Sequence, residues 1–123
     1  MGSSILGYSG KSANYTATIA NQNGELICYP THDGDTGWDV YTGTLIQFVN
    51  TTGESIRVTV KPDVYQGADP FTIAPESRTI CTVILTQTLI NQRILITHHI
   101  ETLDGPRIVT GGPKMVPTDP PEL

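Results

Sequence analysis

The sequence predicts an all-β fold, an antiparallel sandwich of about seven or eight short strands. Three observations lead there. Runs of four to eight residues alternate between apolar and polar. Turn signals built from Gly, Pro, Asn and Asp separate them at intervals of about ten residues. No stretch repeats apolar residues at the three-to-four spacing of a helix. Composition agrees: only 15% of residues are charged and 37% are hydrophobic, the balance being rich in Thr, Gly, Ser and Pro, which favours strands and turns over helices.

The elements follow in order. "NYTATIA" puts Tyr15, Ala17 and Ile19 on one face and Thr16 and Thr18 on the other. Asn23-Gly24 is a hairpin turn signal, and "LICY" is a short strand stopped by Pro30. "THDGDTGWD" reads as a polar loop. "TLIQFVN" directs Ile46 and Phe48 inward, and "TTGES" turns the chain. "IRVTVKP" alternates most cleanly, with Ile56, Val58 and Val60 inward and Pro62 as its stop. A loop over 63–70 precedes a brief strand at "FTI". "RTICTVILTQTLI" reads as one long β-branched strand, and "RILITHHIET" as the next. "IVTGGPKMVP" reads as a last edge strand. The expected organisation is a flexible N-terminus over 1–12, one sandwich over 13–117 and a Pro-rich tail over 118–123.

A net charge of −5 with seven Lys plus Arg leaves no basic patch for phosphates, so nucleic acid is not an expected partner. No apolar run approaches the length of a membrane span. The N-terminus shows no basic region followed by an apolar stretch, so no leader is read there. The compartment is left open, a secreted or periplasmic one included. Cys28 and Cys81 lie in apolar runs and read first as buried thiols, with a single disulfide as the alternative.

"VYTGTLIQFVNTTGESIRVTV", "PFTIAPESRTICTVIL" and "PKMVP" together resemble the cupredoxin-type Greek-key sandwich, over about residues 40–117. Immunoglobulin-like and fibronectin-like sandwiches share most of these features. The resemblance implies the sandwich but not type 1 copper, whose thiolate and two imidazoles have no counterparts. "NTTGESIRV" holds no histidine, and no cysteine follows Gln92.

His98 and His99 are adjacent, so in a strand their rings point to opposite faces and cannot chelate one ion together. His98 shares a face with Ile94, Ile96 and Ile100, and is expected to be semi-buried and hydrogen-bonded. His99 shares a face with Leu95 and Thr97. Asp33, Asp35 and Asp39 have alternate spacing that suits calcium, but no Glu closes the loop; they read as a solvated turn. Asn14 and Asn50 each begin an N-x-Thr glycosylation pattern, of the kind that a Thr-rich chain produces by chance. The signatures of serine hydrolases, nucleotide-binding proteins and zinc proteases are missing, so catalysis and cofactors are not expected. The expected function is non-catalytic binding or assembly, with a protein partner or a second copy engaged through edge strands or sandwich-end loops. Trp38 and Tyr41 are the candidate contact residues, and the tail from Gly111 is a candidate docking segment. The alternative is a type 2 copper or zinc site using His98 or His99 with His32 or Met115.

Overall fold

The structure is a computed structural model that describes residues 13–67 and 69–120. The N-terminus over 1–12 and the last three residues of the tail lie outside the described residues. The elements are β1 (Tyr15–Gln22), β2 (Glu25–Tyr29), β3 (Trp38–Val40), β4 (Leu45–Asn50), β5 (Ile56–Lys61), β6 (Phe71–Ile73), β7 (Ser77–Thr82), α1 (Gln87–Gln92), β8 (Thr97–Thr102), β9 (Thr110–Gly111) and β10 (Met115–Pro117). They form a five-stranded sheet in the order β7-β4-β1-β2-β9, a three-stranded sheet β6-β5-β8 and a two-stranded pair β10-β3.

The clean alternations become strands with the expected inward residues. Ala17 and Ile19 of β1, Ile46 and Phe48 of β4, and Ile56, Val58 and Val60 of β5 are all buried. Asn23 and Gly24 take positive φ, 55° and 87°, as a two-residue hairpin turn requires. The turn sets the Gln22↔Glu25 pairing that starts the β1–β2 ladder.

Four features depart from the expectation. The three-stranded sheet is antiparallel as expected, but the five-stranded sheet is mixed, with β1 parallel to β4 and β2 to β9, and β3 runs parallel to β10. Alternation reveals which face a residue takes but not strand direction, and β2 and β3 together supply the long crossover that parallel pairing needs. The "WDV" of the expected polar loop forms β3. The long strand expected over 78–90 ends at Thr82, and helix α1 follows. Thr86 caps that helix, its side chain accepting from the Leu89 N–H, and this local bond outweighs the β preference of the run. Finally, "IVTGGPKMVP" splits into β9 and β10, which lie in different sheets, and β8 begins at Thr97, leaving Ile94 36% exposed.

Asn50, at the end of β4, is fully buried. Its amide donates to the carbonyls of Glu54 (2.7 Å) and Ala74 (3.1 Å), with Ile73 O at 3.3 Å. Its Oδ1 accepts from the N–H and hydroxyl of Thr52. The glycosylation pattern at Asn50 is therefore a structural knot, in which every polar atom of the buried amide is satisfied.

Candidate functional site

The segment 111–114 leaves β9 beside β2 and crosses to β10 beside β3. The crossing is tight. A Cβ on Gly111 would stand 2.4 Å from Thr31 Oγ1, and the residue's φ is +84°. A Cβ on Gly37 would stand 2.6 Å from the Lys114 carbonyl. Only glycine permits either approach.

The peptide between Pro113 and Lys114 is held at both ends by histidine. His98 Nδ1 lies 2.8 Å from the Pro113 carbonyl. The Lys114 N–H donates to His32 Nδ1 at 2.9 Å. A carbonyl only accepts, so the hydrogen-bond network assigns the His98 proton to Nδ1. Its Nε2 is then free to accept from the Tyr65 hydroxyl, 2.7 Å away. That hydroxyl also lies 3.7 Å from Met115 Sδ. Lys114 is fixed further by its own carbonyl, which accepts from the Trp38 N–H at 2.9 Å.

Burial sets the electrostatics here. It lowers His98 from 6.5 to about 4, against smaller opposing effects of the Pro113 carbonyl and Asp69. Phe48 packs its ring at 5.4 Å from the His98 ring. Burial also pushes Tyr65 well above its ordinary value and both thiols up to about 12. Cys28 and Cys81 are free. They sit on β2 and β7, with β1 and β4 between them; three strand spacings of about 4.8 Å each exceed the reach of a disulfide.

His98, His32 and Met115 therefore gather around one crossing segment, whereas His99 does not. It points outward, 3.8 Å from Glu101. Both ring nitrogens of His98 and the Nδ1 of His32 are engaged with backbone and hydroxyl groups, and no three of His, Cys, Asp and Glu come together among the described residues. Trp38 stacks on Tyr15 at 4.7 Å and meets the edge of His32 at 5.4 Å, packed against the core. Tyr41 is exposed just past β3. Trp38 lies in β3 and Tyr41 in the loop that follows it. Asp33 closes a turn by accepting from the Thr36 N–H and hydroxyl. Sequence reasoning missed Tyr65, which sits in a loop without periodicity. It also missed the clamped peptide, for which the two glycines before Pro113 were the available signal.

A second feature lies on the outer faces of the sheets. Alternation and register place Thr16, Thr18, Ala20 and Gln22 of β1, Leu45, Gln47 and Val49 of β4, Ile27 and Tyr29 of β2, and Ile80 of β7 on the outside of the five-stranded sheet. Ile80 is 45% exposed. The charges on these four strands, Arg78 and Glu25, stand at opposite edges of the face. Neutral cross-strand pairs tie it together: Tyr29 donates to Gln22 at 2.6 Å and Gln47 to Thr16 at 3.3 Å. The outside of the three-stranded sheet carries Arg57, Lys61, His99 and Glu101 instead, with Arg57 and Glu101 paired at 3.0 Å.

The fold is β-rich, with one short helix among the described residues. Among solved structures, the chain is similar to the McoA multicopper oxidase from the hyperthermophile Aquifex aeolicus, with a TM-score of 0.53 and 12% identity over 91% of this chain. The match spans 31% of that protein's length. No protein family and no curated protein sequence matches the chain. Among the described residues no helix is long and apolar enough to cross a membrane.

Proposed function

We propose that the chain is a non-catalytic β-sandwich module that assembles with a second copy of itself through the outer face of the five-stranded sheet. The observation that carries this reading is the segregation of charge between the two outer faces. A chain with net charge −5 repels its copies. The one broad face with a balanced charge of one Arg and one Glu, both at its margins, is where two copies meet at least electrostatic cost. Its Ile, Val, Leu, Tyr and Thr side chains supply apolar area for association.

On this reading the sandwich is not a copper carrier. A type 1 site needs a thiolate together with imidazoles. Here the thiols are buried and held neutral, and the His98 nitrogens are bound to Pro113 and Tyr65.

Sedimentation velocity across low-micromolar to near-millimolar protein tests the assembly. The expected result is a monomer–dimer equilibrium that responds weakly to salt, because an uncharged face is little affected by screening. A monomer at every concentration overturns the proposal.

A further inference from the structure

We propose that the Pro113–Lys114 peptide is a pH-operated latch on the C-terminal strand β10, closed while His32 is neutral and opened when His32 takes up a proton. The two imidazoles grip the same peptide group in opposite roles. His98 offers a donor to the carbonyl at 2.8 Å, and His32 offers an acceptor to the N–H at 2.9 Å. Protonation treats the two roles differently. An imidazolium still donates from Nδ1, so the His98 bond to Pro113 is compatible with either state. At His32 the lone pair that accepts the Lys114 N–H is the one a second proton occupies. One N–H then faces another, and attraction becomes repulsion.

The bonding roles make His32 the half that switches, since its Nδ1 accepts where that of His98 donates. Burial keeps His98 neutral far below the mildly acidic range in which imidazole ordinarily charges. The charged groups on elements around His32 are Asp33 and Asp35 of its own loop, Asp39 of β3 and Lys114 of the crossing segment. The Lys114 ammonium is bound to the Gly34 carbonyl at 2.8 Å. Around His98 stand Tyr65, at hydrogen-bond distance, and Asp69. Carboxylates, phenols and ammonium groups ordinarily titrate outside the mildly acidic range.

The latch sits where it has leverage. β10 is three residues long and pairs only with β3 and, through Met115, with Ile96. Lys114 immediately precedes it and also binds the Trp38 N–H. Opening the clamp loosens β10, the Gly37–Lys114 approach and the packing of Trp38 against His32 together.

Amide hydrogen exchange of the whole chain, read by NMR between about pH 7.5 and about pH 5 and corrected for intrinsic rates, tests the latch. Protection at Lys114, Met115 and Trp38 is expected to fall at least about ten-fold, while β1 and β4 amides change less than about two-fold. His32→Asn supplies an acceptor oxygen that does not titrate and should hold protection at its high-pH level. His32→Phe should lower protection at every pH. His98→Asn should keep the pH response. A flat wild-type profile overturns the proposal, as does a His32→Asn profile that follows the wild type. Should His32→Phe fail to fold, the ring nitrogen shifts of the wild type decide. Nδ1 must be the bare nitrogen at neutral pH, and its titration midpoint must coincide with the loss of Lys114 protection. A protonated Nδ1 at neutral pH overturns the latch.

Discussion

The two sheets present opposite outer surfaces on similar inner ones. Inside, both contribute aliphatic rows: Ala17, Ile19, Ile46 and Phe48 from one, Ile56, Val58, Val60 and Ile100 from the other. Outside, the five-stranded sheet is neutral across its two central strands, β1 and β4. The three-stranded sheet carries Arg57 paired with Glu101, and Lys61 beside them. Burial of the inner face explains folding in both cases and does not distinguish them. The difference lies in side chains that point away from the core. On the proposed reading, the charged face keeps copies apart and the broad neutral one brings them together.

The strongest way to break this contrast is to charge the neutral face. Val49→Lys combined with Ile80→Lys places two cations on adjacent strands, β4 and β7, of that face. The dimer is expected to weaken by at least about 100-fold, about 2.8 kcal/mol. Monomer stability should shift by only a fraction of that amount, because both side chains point away from the core. The matched control is Thr59→Lys combined with Thr97→Lys on the charged face, which should leave the association constant nearly unchanged. A dimer unchanged or tightened by Val49→Lys with Ile80→Lys would show that net charge, not the neutral face, governs assembly.

The second prediction sharpens the contrast between the inside and outside of one strand. His98 and His99 are neighbours on opposite faces of β8, and burial depresses His98 to about 4. The unfolded chain therefore takes up the proton first. The stabilisation is complete above about pH 6.5 and is lost as pH falls towards 4. The full difference corresponds to about 3 kcal/mol. Some solvent reaches the edge of the ring, which lowers the expectation to roughly 2 kcal/mol. Urea unfolding at a series of pH values measures it. His98→Asn, which keeps a donor for Pro113, should remove this component of the slope, and His99→Ala should retain it. A slope that survives His98→Asn would assign the acid sensitivity to carboxylates.

These two histidines also show how far the sequence can be read. Their divergence follows from the period of two in a strand, which any residue in that position obeys. The same rule places Ala17, Phe48 and Val58 inside. Strand direction has no such signature: Ile46 alternates in the same way whether β4 lies parallel or antiparallel to β1. The helix at Gln87 was hidden because its decisive bond, from the Leu89 N–H to Thr86, involves a threonine indistinguishable by type from its strand neighbours. The clamp was harder still to see. It holds the carbonyl of Pro113 and the N–H of Lys114, backbone atoms that almost every residue carries. What marked the place was steric: Gly37 and Gly111 allow two segments to approach too closely for any side chain. Three of the four residues named for a metal site, His98, His32 and Met115, do converge there. The residue types pointed to a shared location, although the bonds they make are to backbone and hydroxyl.

The smallest expected effect concerns the charged face itself. Arg57 Nε and Nη2 both reach one oxygen of Glu101, at 3.2 and 3.0 Å, and both side chains remain partly open to solvent. In such a setting the Coulomb gain is largely cancelled by hydration and side-chain entropy. A double-mutant cycle with Arg57→Ala and Glu101→Ala should give a coupling below about 1 kcal/mol, smaller still in high salt. That outcome fits a face whose charges keep copies apart rather than hold the sandwich together. A coupling above about 2 kcal/mol, unmoved by salt, would make the pair part of the scaffold. The outer faces would then differ because one sheet needs its charges to fold, and the neutrality of the other would lose its value as a sign of assembly.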